Sequence, residues 1–93
     1  MSISVKIPAP LRPLTQNLAE VTLDDARTVG GAVDALERKY PGLKTRLLDD
    51  KGALRRYINI FRNDEDIRQG KSLETQLQPG DKLSIVPAIA GGY

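Results

Sequence analysis

The chain has 93 residues, of which 40% are apolar, so it forms one small domain with a limited core. The net charge of +2 comes from basic residues spread along the chain, which argues against a nucleic-acid partner. Cysteine is absent, so there is no disulfide and no thiol nucleophile. Histidine, the commonest metal ligand and general base, is absent too. Neither a signal peptide nor an apolar run of ~18 residues is present, and we expect a cytoplasmic protein without a membrane partner.

The N-terminal part predicts two strands and a long connection. Ile3, Val5 and Ile7 alternate with polar residues, which is the period of a half-buried strand. A proline-rich stretch, residues 8–17, ends this strand because proline cannot donate to a strand ladder. Residues 18–23 predict the second strand, so residues 8–17 are expected to be a hairpin loop longer than a tight turn.

A helix is predicted over residues 28–40. Thr28 is a good N-cap, and Pro41 follows the last helical residue. Gly30 and Gly31 in the first turn cost about 1 kcal/mol of helix propensity each, and close packing of that turn on a sheet is the expected compensation. One apolar stripe at helical spacing consists of Val29, Ala32, Val33, Leu36 and Tyr40.

The second half of the chain predicts shorter elements and two more strands. Residues 43–48 suggest a helical turn, residues 57–62 a strand, and residues 82–87 the final strand. Residues 63–66 predict a turn. Its acidic residues lack the glycine and the distal glutamate of a calcium-binding loop, so we expect no metal site there.

The order of these elements predicts an α+β protein of the β-grasp type. Its mixed sheet would carry one main helix, with the first and last strands paired in parallel at the centre. Residues 1–90 are expected to form this domain, and residues 91–93 a flexible tail. One helix covers only one face of the sheet, so the other face is solvated or binds a partner.

Three apolar side chains are predicted on the uncovered face. If Ile58 and Ile60 point to the core, then Tyr57 and Phe61 point away from it, as does Val86 in the final strand. An exposed patch of this kind would mark a protein interface. The alternative is that these side chains only pair with neighbours across the strands.

The chain ends in Gly91-Gly92-Tyr93, which is an unusual sequence for a terminus. Two glycines make a thin, flexible segment that can enter a narrow channel and present a main-chain carboxylate to another protein. A frayed terminus without function is the alternative.

These features together resemble the MoaD/ThiS family of ubiquitin-like sulfur carriers. The matching segments are the final strand Leu83-Ser84-Ile85-Val86-Pro87 and the Ala90-Gly91-Gly92 that follows it. The segment from Tyr57 to Arg68, and Ile7-Pro8-Ala9-Pro10-Leu11-Arg12-Pro13, are most similar to the subgroup that serves a bacterial cysteine-synthesis route. The resemblance covers nearly the whole chain.

The resemblance implies that the protein is a carrier and not an enzyme, with no catalytic residues and no bound cofactor. An E1-like adenylating enzyme would use ATP to activate the carboxylate of Gly92, with Gly91 keeping the tail slender. Sulfide or a persulfide would then displace AMP to give a thiocarboxylate. The sulfur would pass to an acceptor enzyme such as a cysteine synthase.

Tyr93 departs from the family pattern, because mature carriers end at the second glycine. It is a precursor residue removed by a metalloprotease, an added residue, or a natural block on activation, and we favour the precursor. Other members of the family suggest a molybdopterin synthase small subunit or a thiamin-type carrier. A ubiquitin-like protein modifier and a non-catalytic binding module remain as functions of another class.

Overall fold

A five-stranded mixed sheet is the framework of the computed structural model, which describes residues 2–24 and 26–87. The strand order is β2-β1-β5-β3-β4, with β1 and β5 parallel and the other pairs antiparallel. The predicted mixed sheet with a central parallel pair is therefore confirmed. The strands are β1 (Ile3–Lys6), β2 (Glu20–Leu23), β3 (Ile58–Arg62), β4 (Glu65–Asp66) and β5 (Lys82–Pro87).

Alternation along the strands places one apolar row after another on the covered face. Val5 lies opposite Val21 in β2 and beside Leu83 in β5, and all three are buried. Ile60 and Ile85 form the matching pair between β3 and β5. Burial of these branched side chains supplies the main stabilisation of the sheet.

The helix α1 (Val29–Lys39) covers this apolar face. Thr28 is its N-cap, and the Thr28 hydroxyl oxygen accepts a hydrogen bond from the Gly31 N–H at 3.0 Å. The predicted apolar stripe is buried, apart from Tyr40, which is partly buried against the core. No helix in residues 2–24 or 26–87 is long and apolar enough to cross a membrane.

A short second helix, α2 (Leu43–Leu47), is linked to α1 by hydrogen bonds to a carboxylate. The Glu37 side chain accepts hydrogen bonds from the N–H groups of Gly42 and Lys44, the latter at 2.8 Å. These bonds satisfy donors at the start of α2 that have no partner within the helix. They also hold the pKa of Glu37 below its usual value.

Gly30 packs against the Ser72–Glu74 3₁₀ helix, and not against the sheet as the sequence suggested. A Cβ atom on Gly30 would lie 3.2 Å from the main-chain oxygen of Leu73. That separation is tighter than an ordinary contact, so the missing side chain lets the two segments approach closely.

The connection between β1 and β2 is a 3₁₀ helix, Ala9–Thr15, where a hairpin loop was expected. Pro10 is compatible with the first turn of the helix, where its missing N–H leaves no bond unmade, whereas Pro13 lies inside the helix. Thr15 is fully buried, and its hydroxyl donates to the carbonyl oxygen of Leu18 at 3.0 Å. Leu11 joins the core, so the segment packs on the domain rather than looping into solvent.

A buried carboxylate ties β3 to β5 where β5 begins. Asp81 accepts hydrogen bonds from Arg62 Nε at 2.7 Å, from the Gln78 N–H at 2.7 Å and from Asn63 Nδ2 at 3.2 Å. Burial raises the pKa of Asp81, but these hydrogen bonds and the Arg62 charge outweigh that effect and lower the pKa overall.

Leu36→Ala should lower the free energy of unfolding by about 2–5 kcal/mol, because Leu36 is 1% exposed at the centre of the α1 stripe. Leu18→Ala is the matched control, since Leu18 is 44% exposed and its truncation should cost less than about 0.5 kcal/mol. Urea unfolding measures both. A loss below about 0.5 kcal/mol for Leu36→Ala would place Leu36 outside the core.

Asp81→Asn should destabilise the fold by about 1–3 kcal/mol at neutral pH, because it removes the charge from three hydrogen bonds. A lowered folded pKa gives stability that is present above the unfolded value, about 3.9, and lost as the pH falls through the folded value. The difference between wild type and variant should therefore shrink as the pH drops. Urea unfolding across this range, with exposed Asp64→Asn as a charge-matched control, tests it; a pH-independent difference contradicts it.

Candidate functional site

The face of the sheet opposite α1 carries one continuous row of residues across all five strands. The strand registers place Phe61 next to Ser84 on one side and Asp66 on the other. This face is mainly polar, and Phe61 is its aromatic member. In order from β2 to β4 the row consists of Glu20, Lys6, Ser84, Phe61 and Asp66.

Phe61 and Val86 are brought together on this face. Val86 lies directly opposite Asn59 and is therefore a diagonal neighbour of Phe61, within reach of an aromatic ring. Val86 is 41% exposed, and Phe61 is partly buried. Tyr57 is 53% exposed but precedes β3, where it lines a separate groove with Arg55 and other residues. Of the three residues predicted on this face, Phe61 and Val86 are therefore neighbours, and Tyr57 lies apart from them.

A hydrogen-bonded arginine that the sequence did not single out lies beside the pair. Arg68 donates from Nη1 to Asn59 Oδ1 at 2.6 Å and from Nη2 to the main-chain oxygen of Arg55. Asn59 is two residues from Tyr57 and two from Phe61 in the sequence, so its bond to Arg68 places a cation near both aromatic residues. The partners are nine and thirteen residues from Arg68, a separation at which no local sequence pattern marks a contact.

The acidic segment predicted as a turn, residues 63–66, caps a 3₁₀ helix. Asp66 caps the 3₁₀ helix Ile67–Gln69 by accepting a hydrogen bond from the Arg68 N–H at 2.9 Å. In the described part of the chain, no three His, Cys, Asp or Glu side chains converge as metal ligands would.

The end of β5 has a strand partner on one side. Pro87, its last residue, lies opposite Ile58 in β3, whereas the pairing with β1 on the other side extends only to Ser84. Gly91, Gly92 and Tyr93 lie outside the described residues. Gly92 is five residues beyond Pro87, so chain geometry alone limits its Cα to about 17 Å from that of Pro87.

Comparison with known proteins agrees with this architecture. Residues 5–92 match the ThiS family. The sulfur carrier protein CysO of Mycobacterium tuberculosis is 40% identical over 94 residues, which cover 99% of this chain and 100% of the relative.

Two solved structures are similar over nearly their whole length. A chain of the Amycolatopsis orientalis BexX/CysO complex is 39% identical, with a TM-score of 0.89 over 97% of this chain and 99% of that chain. The small archaeal modifier protein 1 of Haloferax volcanii is 32% identical, with a TM-score of 0.79 over 95% and 98%.

The chain therefore belongs to the ThiS/MoaD family of sulfur carriers and is similar to CysO. The β-grasp prediction is confirmed by the match to the CysO and modifier structures. The interpretation of the chain as a carrier and not an enzyme is confirmed by the family. The roles assigned to the tail and to Tyr57, Phe61 and Val86 stay predictions.

Proposed function

We propose that this carrier delivers sulfur for cysteine synthesis as a thiocarboxylate on Gly92, formed after removal of Tyr93. The observation that carries the proposal is the full-length similarity to CysO in a chain whose Gly91-Gly92 follows the last strand by a few residues. A tail of this length is long enough to extend away from the domain and short enough to keep Gly92 near the face that is proposed to dock.

The chemistry needs one free carboxylate and no catalytic group on this chain. A carboxylate oxygen of Gly92 attacks the α-phosphorus of ATP, and pyrophosphate leaves. Hydrosulfide then attacks the carbonyl carbon, a C–S bond forms, and AMP leaves. Adenylation replaces a poor leaving group with a good one, and the activating enzyme supplies the ATP site, which suits a carrier without histidine or cysteine.

Tyr93 keeps Gly92 in a peptide bond, so activation requires hydrolysis of the Gly92–Tyr93 bond. Water adds across this bond, tyrosine leaves, and Gly92 gains the carboxylate. A metalloprotease is the proposed processing enzyme. This step would make the supply of active carrier dependent on a peptidase.

Two further partners follow from the chemistry. An E1-like enzyme adenylates Gly92, and a cysteine-synthase-type acceptor takes the sulfur. The occurrence of the A. orientalis CysO in a complex with BexX supports docking of such carriers on separate proteins. The exposed face with Phe61 and Val86 is the proposed docking surface, with Tyr57 at its margin.

A protein modifier is the second candidate function, because the chain also resembles the small archaeal modifier protein 1 of H. volcanii. In that role the activated Gly92 would form an isopeptide bond with a lysine amine instead of gaining sulfur. Mass spectrometry of tryptic digests from the native host separates the two functions. Peptides with a branched lysine favour the modifier, and a thiocarboxylate at the intact C-terminus favours the carrier.

Protein ending at Gly92 should gain sulfur when incubated with its adenylating enzyme, ATP and sulfide, whereas protein ending at Tyr93 should stay unchanged. The reason is that only the shorter form has a carboxylate on the thin end of the tail. Intact mass spectrometry detects the replacement of oxygen by sulfur. Gly92→Ala in the shorter form should react poorly, because its methyl group occupies space that the enzyme must close around.

Sulfur gained on the form ending at Tyr93 as fast as on the shorter form would contradict the precursor role of Tyr93. If neither form reacts with an enzyme that activates a known carrier in the same assay, the sulfur-carrier role in this pathway is wrong.

Phe61→Ala should weaken binding of the carrier to the adenylating enzyme by more than about 1 kcal/mol if Phe61 is an interface anchor. Tyr40→Ala is the control, because it removes an aromatic side chain that packs against the core at the C-terminal end of α1. Isothermal titration calorimetry gives the affinity, and urea unfolding gives the stability of each variant. Unchanged affinity per folded molecule would assign Phe61 to the fold alone.

A further inference from the structure

Arginine side chains stand on both sides of the place where the tail leaves the sheet. On the β1 side, Arg12 lines a groove with Lys6 and Val86. On the β3 side, Arg55 and Arg56 line the groove beside Tyr57, and Arg68 reaches Asn59, the residue opposite Val86. We call Arg12, Arg55, Arg56 and Arg68 the arginine collar.

Three of these arginines are held in place by neutral oxygen atoms. Arg12 Nε donates to the main-chain oxygen of Ile7 at 3.1 Å, and Arg55 Nε donates to that of Thr45 at 3.0 Å. Arg68 bonds to the main-chain oxygen of Arg55 and to the Asn59 amide. Each guanidinium is therefore oriented, and each keeps further N–H donors for another ligand.

The positive charges of the collar are left without carboxylate partners within 4.0 Å in the residues that the structure describes. The ion pairs found there are Lys44–Asp34 and Arg62–Asp81. Asp49 shares a groove with Arg55, but its carboxylate accepts hydrogen bonds from the N–H groups of Ala53 and Lys51 in its own loop. These bonds lower the pKa of Asp49 and the Arg55 charge lowers it further, so Arg55 is the collar member with an anion nearby. The collar is thus preorganised for an external anionic group.

The length of the tail brings any enzyme that acts on Gly92 close to the collar. Gly92 cannot lie more than about 17 Å from Pro87, so a channel that encloses the tail must press its rim against the end of β5. Charges on the rim that contact the end of β5 would lie within the Debye length of about 8–10 Å, so their attraction to the collar would be incompletely screened.

We propose that the arginine collar docks on a ring of acidic side chains around the tail channel of the adenylating enzyme. This inference rests on the proposed function, because it takes the enzyme from there. Oriented guanidinium groups on two sides of the end of β5 would match carboxylates on the two walls of the enzyme's channel. The collar steers the tail toward the entrance, while the Phe61–Val86 pair supplies apolar contact.

The test measures association of the full-length chain with the purified adenylating enzyme in the absence of ATP, by stopped-flow fluorescence at several salt concentrations. Arg12→Gln combined with Arg68→Gln removes two collar charges, one from each side. Arg27→Gln combined with Arg38→Gln removes the same charge from exposed positions outside the collar. Thermal unfolding verifies that both double variants are folded.

The collar variant should associate about tenfold more slowly at low salt and show a weaker dependence on ionic strength, whereas the control should change by less than about twofold. Equal rates for the two variants would overturn the proposal. So would failure of the wild type to bind, or a collar effect seen only on binding to RNA and absent with the enzyme.

The outcomes also separate this inference from the proposed function. If binding depends on the collar but the form ending at Gly92 never gains sulfur, the collar stands and the sulfur-carrier role in this pathway falls. If that form gains sulfur and both double variants bind alike, the function stands and the collar falls.

Discussion

The parallel pairing of β1 with β5 determines where the final strand ends in this protein. It buries Val5 against Leu83 at the centre of the sheet and sets the ends of both strands at the same edge. The strand β5, which ends at Pro87, therefore lies between β1 and β3 in the sheet and not at its edge. The turn that follows β1 begins at that edge too, which explains how the 3₁₀ helix Ala9–Thr15 carries Arg12 to the side of β5.

The two ends of β5 differ in how the charged side chains beside them are paired. Just before the strand begins, the buried carboxylate of Asp81 is hydrogen-bonded to one cationic donor and two neutral donors. Where the strand ends, Arg12, Arg55 and Arg68 are held by neutral oxygen atoms, and none of them has a carboxylate within 4.0 Å in the described residues. One strand thus has a structural anchor beside its first residues and the proposed docking surface beside its last.

Local patterns were sufficient to predict most of the fold and part of the candidate site. Strict alternation identified β1, β3 and β5, and the Thr28 cap with its apolar stripe identified α1. The helical nature of residues 9–15 was missed because its prolines signal a break as readily as a first helical turn. β4 has only two residues, too few for any period. Alternation also gave the Phe61–Val86 pair, but the Arg68–Asn59 contact depends on tertiary folding and has no local signature.

A basic side chain lies near each outer edge of the sheet. Arg68 and the Ile67–Gln69 3₁₀ helix follow β4, which pairs with only the last two residues of β3, while Lys39 Nζ donates to the main-chain oxygen of Thr22 in β2 at 3.4 Å. A second strand added at either side would have to displace or bury these charges, which is costly. The molecule is thereby disfavoured from stacking edge to edge with copies of itself. Charged side chains at the edges are one of the devices by which natural sheets avoid pairing with other strands.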